Sequence, residues 1–166
     1  MPFQPNIAGK KSITKDESEL ITMHPSFYAA IAAFSLTACS QGVVPMEDRT
    51  AIPCANKPNC VSTQDERDKF NLAPFILRPG VTMEQVERVA LSLSGASTAE
   101  KNAQYLRIEC TSSVFRFVDD LELKIQQDHL WVRSESRIGY SDFGVNRRRA
   151  EALREKLTLS GLLEQP

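Results

Sequence analysis

Three neighbouring segments in the C-terminal half of the chain alternate apolar and polar residues with a period of two, and no other feature restricts the fold as strongly. From Gln104 to Cys110 the apolar side is Leu106, Ile108 and Cys110; from Val114 to Ile125 it is Phe115, Phe117, Leu121, Leu123 and Ile125; from Leu130 to Ile138 it is Leu130, Val132 and Ile138. Successive side chains of a strand point to opposite faces, so each segment reads as a half-buried strand. Thr111 to Ser113 and Gln126 to His129 are short enough for hairpin connections. Pairing Leu123 with Val132 and Ile108 with Phe117 places all three apolar sides on one face of an antiparallel meander.

Helical spacing flanks the meander on both sides. Thr82-Met83-Glu84-Gln85 is a capping box, Val81 can staple onto Val86, and Val86, Val89, Ala90 and Leu93 share a face before Gly95. The last helix is expected from about Asn146 to Thr158, with Asn146, Ala150, Leu153 and Leu157 inward and Asp142 as its cap. Helix, meander and helix make an α+β fold. It is expected as a two-layer sandwich, an antiparallel sheet of three to four strands packed by two helices, the fourth strand being an edge at Phe75 to Leu77. A hydrophobic fraction of 42% against 25% charged residues supports a packed core and excludes a disordered or collagen-like chain.

The N-terminal region has a different character. Pro25 to Ala38 is uncharged and apolar, too short to span a bilayer comfortably but the length of a signal-peptide core. Leu36-Thr37-Ala38-Cys39 has the form of a bacterial lipobox, in which the cysteine is lipidated and the chain cut before it. The expected organisation is therefore an extension and signal at 1–38, a tether at 39–53 and one domain at 54–160. A start at Met23 would leave residues 1–22 as an upstream extension. Ser40 carries no acidic retention signal, which points to a cell-envelope protein anchored in the outer membrane and facing the periplasm.

The strand register exposes one anomaly on the apolar face. Asp119 falls between Phe117 and Leu121, opposite Ser136 and diagonal to Ser134, and a buried carboxylate requires a cation or several donors unless a bulge turns it out. Arg147, Arg149 and Asn146 are the available partners. The turn Gly139-Tyr140-Ser141-Asp142-Phe143-Gly144 is expected to let the backbone approach closely and to deliver the N-terminus of the last helix, whose N–H groups favour an anion. The candidate binding set is Asp119, Ser134, Ser136, Arg137, Tyr140, Asp142, Asn146 and Arg147. Two outcomes stay open: a closed clamp between helix and sheet, or an open pocket walled by Asp119 and at least two arginines. An enzyme acting on an anionic envelope substrate, with Asp119 or Asp142 as acid or base, is the alternative reading. The other face, with Glu122 opposite Arg133, Asp120 opposite Glu135 and Arg137 diagonal, reads as a solvated charge ladder that also carries Trp131.

Other chemistries have little material. Trp131 to Lys156 carries seven Arg and Lys against four acids, which suits an anionic partner or a solvated helix face. For an exported chain the Arg147 to Arg149 cluster is a poor argument for nucleic acid, and none is expected as a partner. Cys54 and Cys60 have the wrong spacing for a zinc knuckle, and a Cys3His site with Cys110 and His129 is remote. In an oxidising compartment they are expected to form a disulfide, leaving Cys110 as a buried thiol. No cofactor is expected, and the partners expected are the membrane, through a lipid anchor, and an anionic small molecule or envelope component.

Three motifs in order, Pro58-Asn59-Cys60-Val61-Ser62, Phe115-Arg116-Phe117-Val118-Asp119-Asp120, and the run from Arg133 through Ser136, Gly139, Tyr140, Asp142 and Gly144 to Arg147, resemble the family called domain of unknown function 1499. The resemblance covers roughly Cys54 to Leu157, with Thr63 standing where relatives often have a second serine. It implies a domain of bacterial envelope proteins, lipoproteins and plastid-targeted plant proteins, and implies no particular activity.

Overall fold

The computed structural model describes residues 47–164; the expected signal and Cys39 lie outside them. The elements are β1 (Cys60–Ser62), α1 (Met83–Ala90), β2 (Ala96–Lys101), β3 (Tyr105–Thr111), β4 (Val118–Gln126), β5 (His129–Ser136) and α2 (Val145–Leu159). They form an α+β fold with a five-stranded antiparallel sheet in the order β1-β5-β4-β3-β2. Both helices contribute to one core with one face of that sheet.

The meander carries the core as its alternation requires. Leu106, Ile108, Leu121, Leu123 and Val132 are buried against Val86 and Ala90 of α1 and Ala150, Leu153 and Leu157 of α2. Truncating any of the leucines to alanine would cost about 2 to 5 kcal/mol. The Gln85 side chain accepts the Thr82 N–H at 2.8 Å, the return half of the capping box. Past α1 the chain turns at Gly95, whose φ of +69° suits glycine, and a Cβ there would lie 2.1 Å from the Thr111 carbonyl oxygen. Gly95 thereby seats β2 against the end of β3.

Four sequence expectations are corrected. The sheet has five strands rather than three or four, because β1 is only three residues long and β2, Ala-Ser-Thr-Ala-Glu-Lys, is a polar edge without alternation. Phe75 to Leu77 makes no strand; Ile76 and Leu77 form isolated bridges with His129 and Leu163 while Phe75 and Leu77 fill the core.

The third correction concerns the β3–β4 hairpin. Leu123 does face Val132, but Ile108 faces Leu121, not Phe117. A shift of four residues preserves the parity of the apolar face, so the pattern alone did not reveal it. Arg116 at φ +56° breaks the strand, the connection widens to 112–117, and Phe115 and Phe117 stack on each other outside the core.

The fourth concerns the second sheet face, which is not solvated. Arg107, Asp120, Glu122 and Arg133 are all buried there. Asp48 to Thr50, within the stretch expected as a tether, lie against this face, with Asp48 reaching Lys124 at 2.8 Å. A charged strand face looks the same in sequence whether water or aperiodic chain covers it. Burial is tolerated because each carboxylate meets a guanidinium: Arg49 on Glu122 and Glu135, Arg137 on Asp120, and Arg133 on Glu135. Trp131 is half-buried at the edge of this layer, with the Lys124 ammonium 5.8 Å from its ring centroid.

Candidate functional site

The alternation of β3, β4 and β5 aligns Cys110, Asp119 and Ser136 in one row on the helix side of the sheet. The row beneath it holds Ile108, Leu121 and Ser134. No bulge rotates Asp119 outward; it is 8% exposed. Its partner is Arg149, one turn into α2, whose Nη2 donates to Asp119 Oδ2 at 2.6 Å. Spacing explains the choice: Asn146, Arg149, Ala150 and Leu153 share the inward face of α2, whereas Arg147 and Arg148 point to its flanks.

Asn146 ties the cluster together. It is fully buried, and its carbonyl oxygen accepts from Ser134 Oγ at 2.6 Å and from Arg149 Nη1 at 2.5 Å. Its amide donates to Ser136 Oγ at 2.9 Å and to the Asn59 carbonyl at 3.0 Å. The Asn59 amide in turn donates to the carbonyls of Ser136 and Gly139. One asparagine thus joins α2, β5 and the strand entry at β1 with every polar atom of its side chain used.

The remaining expected site residues lie elsewhere. Arg137 is on the opposite face, bound to Asp120 at 2.7 and 2.9 Å and to Glu109; the Asp120 carboxylate, outweighing partial burial, raises its pKa above that of a free guanidinium. Tyr140 is exposed. Asp142 accepts the backbone N–H groups of Gly144 at 2.9 Å and Asn146 at 2.7 Å. The negative charge at the N-terminus of α2 is therefore supplied by the chain itself, and the expectation of free N–H groups there is corrected. Arg147 donates to the carbonyls of Asn71 and Lys69, pinning that loop. The close backbone approach expected at the two glycines is also absent. A Cβ on Gly139 would meet nothing nearer than 3.9 Å, and on Gly144 only the Arg148 side chain at 3.2 Å; their φ values of +89° and +79° are what call for glycine.

The cluster is closed toward the core and open on one side. Asp119 and Arg149 form part of the wall of a cleft of about 390 Å³ between the end of β3, the widened 112–117 turn and the first turns of α2, shared with Cys110, Ser112, Ser113 and Arg148. Arg148 is exposed, and its Nη1 donates to the Phe143 carbonyl at 3.0 Å. Among the described residues no carboxylate lies within ion-pair distance of it. Cys110 is a poor nucleophile here, since burial pushes its thiol pKa upward. Asp119 and Asp142, the carboxylates considered for acid–base work, are engaged by Arg149 and by backbone N–H groups respectively. Arg148 and the serine turn were not singled out from the sequence; the inward register of Asp119, with Arg147, Arg149 and Asn146 as its available partners, pointed toward this wall.

Cys54 and Cys60 are joined in a disulfide, and Cys110 is a buried free thiol. The bridge occupies two of the three sulfurs that a Cys3His site would have needed. The sequence of residues 51–157 matches the family model described as a protein of unknown function, DUF1499. The chain belongs to the DUF1499 family. No curated protein and no solved structure matches it. The DUF1499 match takes in the disulfide loop, the whole sheet and most of α2, so the Asp119–Arg149–Asn146 cluster and the cleft lie within the family domain, while Arg49 lies just before it.

Proposed function

We propose that this DUF1499 chain is a cell-envelope lipoprotein module, anchored through Cys39 in the outer membrane and facing the periplasm, that binds an anionic small molecule or envelope component in the cleft beside Asp119. The observation that carries the binding reading is the arrangement of two adjacent guanidiniums at one cleft. Arg149 is oriented by Asp119 and Asn146, and Arg148 carries a charge that no neighbouring carboxylate neutralises. Ser112 and Ser113 line the same cleft. A bidentate cation next to hydroxyl donors suits phosphate or carboxylate oxygens. The clamp and the site are then one structure: the closed side holds α2 on the sheet, and the open side presents the cations.

Native mass spectrometry of the purified full chain tests the binding. A co-purifying anionic adduct is expected on the wild type and absent from Arg148→Gln; an adduct retained by that variant refutes the assignment. The anchor is tested separately by feeding labelled palmitate, which should enter the wild type and not Cys39→Ala.

A further inference from the structure

Ten large hydrophobic side chains are exposed among the described residues, and seven of them lie between Val114 and Phe117 or between Ile138 and Val145. The two segments meet at one end of the sheet. Ser112 and Ser113 of the first turn and Val145 and Arg148 after the second line the same cleft, and the Arg137 N–H reaches the Val118 carbonyl. Phe143 is 88%, Val114 78% and Phe115 73% exposed.

Scattered exposed hydrophobics are ordinary, but a concentration at two adjoining turn tips is not. Phe143 adds a conformational cost, since its φ is +54°, a region disfavoured for a bulky side chain. An aromatic ring held there, almost wholly in water, contributes little to the core and is suited to contact with something else. Positive charge accompanies the rings. Arg116 and Arg148 lie in these two segments, and neither has an ion-pair partner among the described residues.

We infer that this end of the sheet docks on an anionic lipid surface, with Phe115, Phe117, Tyr140 and Phe143 entering the headgroup region and Arg116 and Arg148 meeting its negative charge. Aromatic tips flanked by arginine match the composition of an interfacial anchor, in which rings settle at headgroup depth and basic residues gain from the surface potential. A bilayer fits better than a folded partner. Two exposed turn tips on either side of a cleft offer no continuous flat surface of the kind a protein interface packs. The docking goes beyond the cleft's anion binding and does not require Cys39 to be lipidated. It is nonetheless compatible with the anchor: eight residues lie between Cys39 and Asp48, a reach of up to about 30 Å, whereas β4 runs roughly 17 Å from Lys124, where Asp48 is held, to Asp119 beside the tips.

The chain has one tryptophan, Trp131, half-buried on the other face of the sheet, which makes a local probe simple to read. Full-length Phe143→Trp is mixed with vesicles of brominated phosphatidylcholine, with and without phosphatidylglycerol, and its fluorescence compared with that of the unsubstituted chain. Strong quenching of the new tryptophan in phosphatidylglycerol vesicles, with little for Trp131, is expected. Adding Phe115→Ser and Arg116→Gln, both at exposed positions outside the Asp119 cluster, should abolish it. Equal quenching of both tryptophans, no quenching, or quenching unchanged by the added substitutions would overturn the inference. Inorganic phosphate alone should leave the Phe143→Trp emission unaltered; if it reproduced the vesicle effect, the response would belong to the cleft and the docking surface would be refuted.

Discussion

Replacing Arg49 with alanine tests whether the stretch just before the family domain is part of the fold. Arg49 reaches three carboxylates: Glu122 at 2.5 Å, Glu135 at 2.8 Å and Asp120 at 3.6 Å. Two of them have other cations, since Arg133 holds Glu135 at 3.0 Å and Arg137 holds Asp120 at 2.7 Å. Glu122 does not. It is fully buried, and beyond Arg49 its remaining side-chain donor is the Tyr105 hydroxyl at 3.0 Å, whose own pKa is pushed upward by burial and by the Glu122 charge. Removing one member of a buried pair costs about 3 to 5 kcal/mol. The Arg49 side chain is 29% exposed, so water can enter in its place and the expectation falls to about 2 to 4 kcal/mol. Urea unfolding should show a lower midpoint with an unchanged slope. The double variant Arg49→Met, Glu122→Gln should recover part of the loss, because both ends of the pair are then neutral. A loss below about 1 kcal/mol for Arg49→Ala, or no recovery in the double variant, would refute the account of this face.

Asp119→Asn leaves Arg149 with the Ser134 hydroxyl and the Asn146 carbonyl as its acceptors, and a loss of about 2 to 3 kcal/mol is expected by urea unfolding. Gly95→Ala forces a Cβ against the Thr111 backbone and should cost about 3 kcal/mol or more, seen as a fall in Tm. Asp65 is held down to a pKa of about 2, chiefly by hydrogen bonds from the Arg67 side chain and, against its burial, by the N–H groups of Arg67 and Cys54. A lowered folded-state pKa means that its contribution is complete above the ordinary carboxylate range and is lost as pH falls from about 4 toward 2. With Arg67 largely in solvent, the loss should be about 1 to 2 kcal/mol, absent in Asp65→Asn.

The meander, both helices and the inward Asp119 were legible because each rests on a repeating pattern or a register that neighbouring segments had to share. Leu123 opposite Val132 and Asp119 opposite Ser136 follow directly from that register. What escaped were features without periodicity. The Ile108 partner was misplaced by four residues because Phe115 and Phe117 continue the apolar alternation past the point where Arg116 ends the strand. Arg49 and its neighbours resemble any polar linker, yet their charges are complementary to a face that the sequence presents as ordinary solvated strand. Of the candidate site, Asp119, Ser134, Ser136 and Asn146 come together and Asp142 binds the Asn146 N–H, whereas Arg137, Tyr140 and Arg147 are dispersed around turns whose path depends on backbone conformations at Gly139, Phe143 and Gly144. The serine turn at Ser112 and Ser113 became part of a cleft through the same displaced hairpin.

The central claim is that Arg148 and Arg149 present their charge to an anion in the cleft, and the guanidinium Nε–H signals of these residues in an NMR titration test it most directly. Phosphate and acetate are added at constant ionic strength, with Arg154 as reference on the same helix, since it is already committed to Glu151 and to the carbonyls of Ala73 and Pro74. The account predicts saturable shifts at Arg148 and Arg149 with at least one of the two anions, and none at Arg154. Linear drifts of equal size at all three residues would contradict it.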